Sequence, residues 1–372
     1  MQKTTAMING AVMIALLVGG AGMSGYVFVT PELREAVTRP LPANQYVDGE
    51  ITATIESSYE DELPIRKPSG AVLNALTYSL FGEGRKGVVV GEAGWLFSAE
   101  EYDWTPQSDA NLRANLNYVG EVASKLRERG IALQVALLPE KADIYAEHLL
   151  RPRPVAHEGK YERIREAMQV SGITVPDIRE PMRAASASRP VFFPTDTHWS
   201  VEGAGVVAAA LAQDFPARDV VANAEFQLKP DAPIHHDGDL KRFIDLGPFN
   251  SMLPGTDEMV TPVVATAAGG SVDDFLGDGA EAGAPGIALV GTSYSAARLW
   301  SFESQLKGAL GADIVNYAQE GHGPFVPMRS FMEKLETDSI DVKAVIWEIP
   351  VRYLDDDAKT DSKTDTPSSS SV

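Results

Sequence analysis

Short, mostly apolar runs recur between amphipathic stretches, and that alternation leaves few folds open to this chain. Residues 131–138 (IALQVALL), 286–290 (GIALV) and 342–347 (VKAVIW) read as buried strands. Residues 109–129 have helical spacing and end at Gly130. Residues 161–170 give another helix, 173–175 a short strand, 298–310 a helix and 313–317 a strand, with a further helix before 342. Strands that alternate with helices predict an α/β fold: a parallel sheet with helices on both faces. Ahead of this pattern, residues 86–97 read as a hairpin around Gly91-Glu92-Ala93-Gly94. Residues 215–285 break the rhythm. The stretch reads as a surface insertion, and its last part, 251–285, carries Asp257, Glu258, Asp273, Asp274, Asp278 and Glu281 with no basic residue.

The amino end is of another kind. Residues 7–29 carry no charged side chain, enough to cross a bilayer, which takes about 20 apolar residues. Lys3 precedes the segment; Glu32, Arg34, Glu35 and Arg39 follow. The positive-inside tendency then places the rest of the chain outside the cytoplasm. A cleaved signal peptide is the rival reading, because residues 19–25 are rich in small side chains. No clean A-x-A site follows, and an uncleaved N-terminal transmembrane helix is the expectation. Either reading exports the remainder. The predicted organisation is an anchor or signal at 1–30, a proline-broken linker and entry helix at 31–80, a catalytic domain at 81–354 and a disordered tail at 355–372.

Composition narrows the chemistry. The 372 residues contain no cysteine, which removes disulfides, thiolate metal sites and a cysteine nucleophile together. A net charge of −20 argues against nucleic acid as a partner. The six histidines show no H-E-x-x-H spacing. His235-His236-Asp237 reads as a polar loop in preference to a metal site, and neither metal nor cofactor is expected.

Two stretches carry the functional signal. In Pro194-Thr195-Asp196-Thr197-His198-Trp199-Ser200, which follows the apolar Val191-Phe192-Phe193, read as a strand, an acid and an imidazole stand two residues apart before a helical stretch from Val201. One carboxylate can hold one imidazole in a chosen tautomer and leave the other ring nitrogen free to take a proton. The plainer alternative is an aspartate capping the helix beside a satisfied histidine. About a hundred residues later, Gly291-Thr292-Ser293-Tyr294-Ser295 follows the apolar run 286–290. A tight turn there presents the Ser293 hydroxyl above the sheet edge; again, a serine after glycine is commonly a helix cap. Together Asp196, His198 and Ser293 supply orienter, base and nucleophile. The Ser293 N–H, with a backbone N–H of Gly321 or Gly323, is the candidate oxyanion pair. Lys141, Tyr145, Trp199, Tyr294, Glu348 and Arg352 are expected to line the cleft, with salt bridges or caps as the alternative.

These motifs resemble the alginate O-acetyltransferase family of AlgJ and AlgX type, whose catalytic domains are SGNH-hydrolase-like. The matching pieces are GVVVGEAGWLF, LLPEKADIYAEHL, DTHWS, VGTSYS, EGHGP and WEIPVR, spanning roughly residues 85–353. The resemblance implies Ser293 as nucleophile, His198 as base and Asp196 as its orienter. It also implies a permuted motif order, with the Asp/His pair ahead of the serine, and WEIPVR in place of an asparagine block. With the short C-terminal end, it points to an AlgJ-like role: an inner-membrane anchored, periplasm-facing component. The acetyl donor would be a membrane-bound O-acyltransferase. The acceptor would be a polysaccharide, directly or through a polymer-acetylating partner protein. A secreted carbohydrate acetyl esterase and a non-catalytic scaffold of a polysaccharide secretion complex stay open on the residues alone.

Overall fold

The computed structural model describes residues 2–38, 50–63, 66–219, 225–244, 246, 258–267, 286–337 and 340–357. Helices α1 (Gln2–Val27), α2 (Pro31–Thr38), α3 (Glu50–Glu62) and α4 (Arg66–Phe81) come first. The hairpin strands β1 (Val88–Val90) and β2 (Leu96–Ser98) precede α5 (Ser108–Glu128), β3 (Ala132–Leu138) and the single turn α6 (Lys141–Ile144). Next are α7 (Lys160–Val170), α8 (Arg179–Ser186) and α9 (Val201–Gln213). Four short strands follow, β4 (Phe226–Pro230), β5 (Ile234–His236), β6 (Glu258–Val260) and β7 (Val263–Ala267). The chain then gives β8 (Ile287–Val290), α10 (Ser293–Ala296), α11 (Phe302–Leu310), β9 (Ile314–Asn316), α12 (Phe325–Thr337) and β10 (Ala344–Pro350).

The chain divides into two compact units, Met1–Gly82 with Asp245–Met252, and Glu83–Ile244 with Leu253–Val372. The first holds α1–α4. The prolines expected to break residues 31–80 do not do so where they are described. Pro31 opens α2 and Pro68 sits in the first turn of α4, where a missing N–H costs no helical hydrogen bond. Pro40, Pro42 and Pro64 lie outside the described residues. Helix α1 covers most of 7–29, with Asn9 and five glycines (Gly10, Gly19, Gly20, Gly22, Gly25) diluting its apolar content. Among the described residues no helix is long and apolar enough to cross a membrane, so the expected spanning helix is not supported by the fold.

The second unit is built on a four-stranded parallel sheet of order β3-β10-β8-β9. Side chains alternate across a strand, so a sheet covered on both sides needs apolar residues at every position. Ala136 and Leu138 of β3, Ile287 and Leu289 of β8, and Ala344 and Ile346 of β10 pack in one core with residues of α8, α9 and α11. Leu133, Val135 and Leu137, Ala288 and Val290, and Val345, Trp347 and Ile349 face the other core with α5, α7 and α12.

Several expectations shift in detail. Residues 173–175 make a single parallel bridge, Thr174 to Gln134 at the β3 edge, and no strand. Val191-Phe192-Phe193 is no sheet strand either: Phe192 bridges Trp199 antiparallel, so the D-T-H-W loop folds back on itself. The helix expected at 298–310 breaks at Ser301, whose φ of 62° ends the 3-10 turn Arg298–Trp300; its Oγ accepts the Val263 N–H. The insertion contributes two antiparallel pairs, β4–β7 and β5–β6. Residues 355–357 are docked: Lys160 Nζ meets Asp355 Oδ1 at 2.7 Å and Asn115 Nδ2 donates to the Asp356 carbonyl. The rest of the expected tail lies outside the described residues.

A buried ion cluster closes the β3 exit, with Glu140 paired to Arg153 and near Lys160. Arg153 also donates to His157 Nδ1 at 2.8 Å. Burial, then the Arg153 and Lys160 charges, push the His157 pKa down from 6.5 to about 4. The unfolded chain therefore takes up a proton at 6.5 that the folded chain refuses until about 4, so stability falls as pH falls through that window. We predict that urea midpoints drop between pH 7 and pH 4.5, and that His157→Gln, which keeps an acceptor for Arg153, reduces the drop. Equal drops in both proteins contradict this.

Candidate active site

The strand ends of the parallel sheet converge on one place, the position where open α/β sheets present their chemistry. Beyond β8 the chain turns at Gly291-Thr292 into α10. Thr292 caps that helix, accepting the Tyr294 N–H on its hydroxyl, so Ser293 is not the cap and its side chain is free for other work. Glu348 of the adjacent strand β10 lies under the turn. Its Oε2 accepts the Thr292 N–H (2.8 Å), the Thr292 hydroxyl (2.9 Å) and the Ser295 hydroxyl (3.1 Å). A Cβ on residue 291 would stand 2.6 Å from that oxygen, so the close approach requires glycine. Burial raises the Glu348 pKa against these hydrogen bonds.

The facing loop, residues 190–200, is closed by its own backbone: Phe193 N–H to His198 O and Ser200 N–H to Val191 O. Ser200, not Asp196, caps α9, accepting the Gly203 N–H. Asp196 is thereby released from the capping alternative. Its Oδ1 accepts the His198 N–H and His198 Nδ1, both at 2.7 Å. His198 Nε2 lies 2.7 Å from Ser293 Oγ. The structure thus brings Asp196, His198 and Ser293 into one line of short hydrogen bonds, with Asp196 1 % exposed.

Five of the six residues expected to line the cleft are buried instead, and the sixth, Arg352, is half-buried. Lys141, at the β3 exit, is 1 % exposed, and its ammonium donates to the carbonyls of Leu96 (2.6 Å), Pro194 (3.0 Å) and Asp196 (2.9 Å). Burial brings its pKa down to about 8, although Glu101, Asp196, Asp239 and Glu258 all favour the charged form. The Tyr145 hydroxyl accepts the Val191 N–H. Tyr294, next to the serine, donates to the Thr197 carbonyl at 2.6 Å and receives Arg352 Nη1 at 3.2 Å, while Arg352 Nε reaches Glu100. Trp199 is fully buried against Tyr294 and Phe302. Apolar and long side chains next to catalytic motifs are as useful for holding a loop as for touching substrate. Sequence position does not separate the two. Gly321 and Gly323 have φ of 74° and 58°, and their segment is tied to the nucleophile turn by the Gln319 N–H bond to Gly291 O.

Three contributors were not read from the sequence. His236 Nε2 meets Asp196 Oδ2 at 2.8 Å, and the Asp239 N–H meets the same oxygen at 2.9 Å. Both come from the stretch read as a surface insertion. Trp300 stacks on His198 at 4.9 Å and 19°, and stands edge-on to His236 at 5.1 Å. The pair His235-His236 was the available signal, but only the fold shows which imidazole turns to Asp196. Burial raises the Asp196 pKa, yet the bonds from His198 and His236 outweigh it and hold the carboxyl well below its usual range. The Asp239 pKa is raised, first by burial and then by Asp196. Ligand atoms of Asp196, His198 and Asp239 lie within 4.8 Å of one another, as a metal would need. Hydrogen bonds already engage the pair and Asp239 Oδ1, the last accepting the Thr197 N–H and hydroxyl.

A parallel sheet between two helical layers, with a serine, a histidine and an aspartate hydrogen-bonded at its strand ends, is the arrangement of the SGNH-hydrolase-like class. The family model described as SGNH hydrolase-like domain, acetyltransferase AlgX, matches residues 88–351, and the chain belongs to that family of acetyltransferases. It is similar to a probable alginate O-acetylase AlgJ of Azotobacter vinelandii, 38 % identical over 317 residues, covering 83 % of this chain and 80 % of that protein. The AlgJ counterpart of Pseudomonas aeruginosa is 36 % identical over 356 residues, covering 91 % and 87 %. The solved O-acetyltransferase domain of Pseudomonas putida AlgJ superposes with a TM-score of 0.65 at 31 % identity, covering 72 % of this chain and 92 % of that one.

Lys141→Met keeps the volume and removes the ammonium from three carbonyls, of which Pro194 O alone keeps another donor, the Leu96 N–H. A lost buried partner costs about 1–3 kcal/mol. The expected result is a loss of about 3 kcal/mol in urea unfolding at pH 7, and a loss below about 1 kcal/mol would show that the lysine does not hold this loop.

Proposed function

We propose that this chain transfers acetyl groups through an acetyl-enzyme on Ser293. What supports the reading is the unbroken path from Asp196 through His198 to Ser293 Oγ, each contact 2.7 Å. His198 Nε2 takes the Ser293 proton as Oγ bonds to the acetyl carbonyl carbon. The tetrahedral species collapses, the bond to the donor group breaks, and His198 returns the proton to that leaving group. An acceptor hydroxyl then gives its proton to His198 and attacks the acetyl-serine, and Ser293 Oγ leaves with the proton. As the first residue of α10, Ser293 has a backbone N–H without a helical acceptor, suited to the oxyanion; Gly321 or Gly323 is the proposed second donor.

The relatives' activity suggests the acceptor class: a hydroxyl of an alginate-like polyuronate, or of a protein that passes acetyl onward. A net charge of −20 disfavours a long polyuronate grip and favours the relay. The donor is proposed to be a membrane-bound O-acyltransferase. Residues 7–29 are proposed to direct export and retain the chain at the inner membrane, its catalytic unit in the periplasm. Water as acceptor would give an esterase on the same residues.

On a chromogenic acetyl ester, Ser293→Ala should lower kcat/KM by about three orders of magnitude or more. Ser295→Ala should retain most activity, because that hydroxyl faces Glu348. His198→Ala should match Ser293→Ala, with no added loss in the double variant. An active Ser293→Ala enzyme would remove the serine from the chemistry. For location, a reporter fused after residue 45 should be exported and sediment with membranes. Appearance of a shortened soluble chain would mean that the segment is cleaved.

A further inference from the structure

One imidazole in the site has no part in the proposed acyl transfer. His236 ends β5, in the stretch between α9 and β8, and its ring is enclosed by Phe193 at 5.4 Å and Trp300 at 5.1 Å. Gly238 makes the approach possible. A Cβ there would stand 2.3 Å from the Thr195 carbonyl oxygen, so only glycine lets this turn lie against the D-T-H-W loop. As a result the two oxygens of Asp196 are divided between two histidines. Oδ1 receives the His198 ring and backbone N–H; Oδ2 receives the His236 ring and the Asp239 N–H.

We propose that His236 is a positioning residue that shares the Asp196 carboxylate with His198 and sets, by its own protonation, how much of that charge the base receives. The inference rests on the acyl-transfer reading above. An ionised carboxylate only accepts, so His236 carries a proton on Nε2 in both of its states. Acid adds the second proton at Nδ1, away from Asp196. The Asp196 charge is then compensated before His198 has taken the serine proton. The imidazolium that develops in the transition state meets a like charge across one shared carboxylate. Neutral His236 leaves the whole Asp196 charge to His198. The other charged groups acting on His236 are Asp239, in the following turn, and Glu258 of the paired strand β6, both favouring its protonated form. Glu258 is in turn acted on by Lys241 and Lys141. Burial opposes that protonation, but the bond to Asp196 prevails and the His236 pKa is raised above 6.5.

The test compares the full-length native chain, His236→Gln and His236→Ala on a chromogenic acetyl ester across the acid limb. Gln keeps an N–H for Asp196 Oδ2 and cannot titrate. The native kcat/KM should fall more than tenfold per pH unit over part of the limb, the mark of two ionisations, and His236→Gln should fall no more than tenfold. His236→Ala should lose about tenfold in kcat on the neutral plateau with KM little changed, since the hold on Asp196 is lost, and its acid limb should fall no more steeply than that of His236→Gln. Limbs of equal slope in native and Gln proteins overturn the inference. A second readout needs no turnover. By NMR the His236 ring should titrate above 6.5, and its midpoint should fall in Asp196→Asn; a midpoint unmoved by that change also overturns the inference. Full activity in Ser293→Ala would instead remove the underlying acyl-transfer reading, and the NMR titration would still decide whether His236 is coupled to Asp196.

Discussion

One carboxylate, Asp196, governs the site. It is 1 % exposed, and a buried charge is tolerated only when donors replace the water it has lost. Four N–H groups do so, two from backbone and two from imidazoles. They arrive from two sides. The His198 N–H follows from the tight turn of the loop. The Asp239 N–H and the His236 ring need the inserted stretch to close over Thr195. Beneath the loop the Lys141 ammonium gathers the Leu96, Pro194 and Asp196 carbonyls, so a β3 exit residue fixes the height of the carboxylate above the sheet.

The nucleophile is held to this loop by more than the triad contact. Tyr294 and Ser293 are neighbours on α10, and while Ser293 Oγ meets His198, the Tyr294 hydroxyl donates to the Thr197 carbonyl one residue before it. The strand-end helix and the loop are therefore tied to each other at two adjacent residues. Glu348 fixes the turn from the adjacent strand, where the β10–β8 register pairs Trp347 with Val290. Geometry of this kind reduces the reorganisation needed when the serine proton moves.

Much of this was legible in the chain. The apolar runs at β3, β8 and β10 are buried on both faces, and such strands announce themselves by composition. Asp196, His198 and Ser293 were legible because an acid and an imidazole two residues apart, and a serine after a strand and glycine, are each local patterns. The failures share a cause. Lys141, Tyr145, Trp199, Tyr294 and Glu348 were read as cleft walls because proximity to a motif does not say which way a side chain faces. His236 was read as part of a polar loop and Trp300 as part of a helix, because they reach the site only through long-range packing around an inserted stretch and a break at Ser301. Pro31 and Pro68 misled for a local reason: a proline that opens a helix looks, in sequence, like one that prevents it.

The central claim is that this arrangement makes Ser293 the atom that carries the acetyl group. Mixing the protein with an activated acetyl ester, quenching in acid and mapping the modified peptide by mass spectrometry tests it most directly. The account predicts one acetyl group on Ser293 in the native protein and none there in His198→Ala over the same interval. An acetyl group accumulating on another residue at the rate of turnover, with Ser293 unmodified, would contradict it.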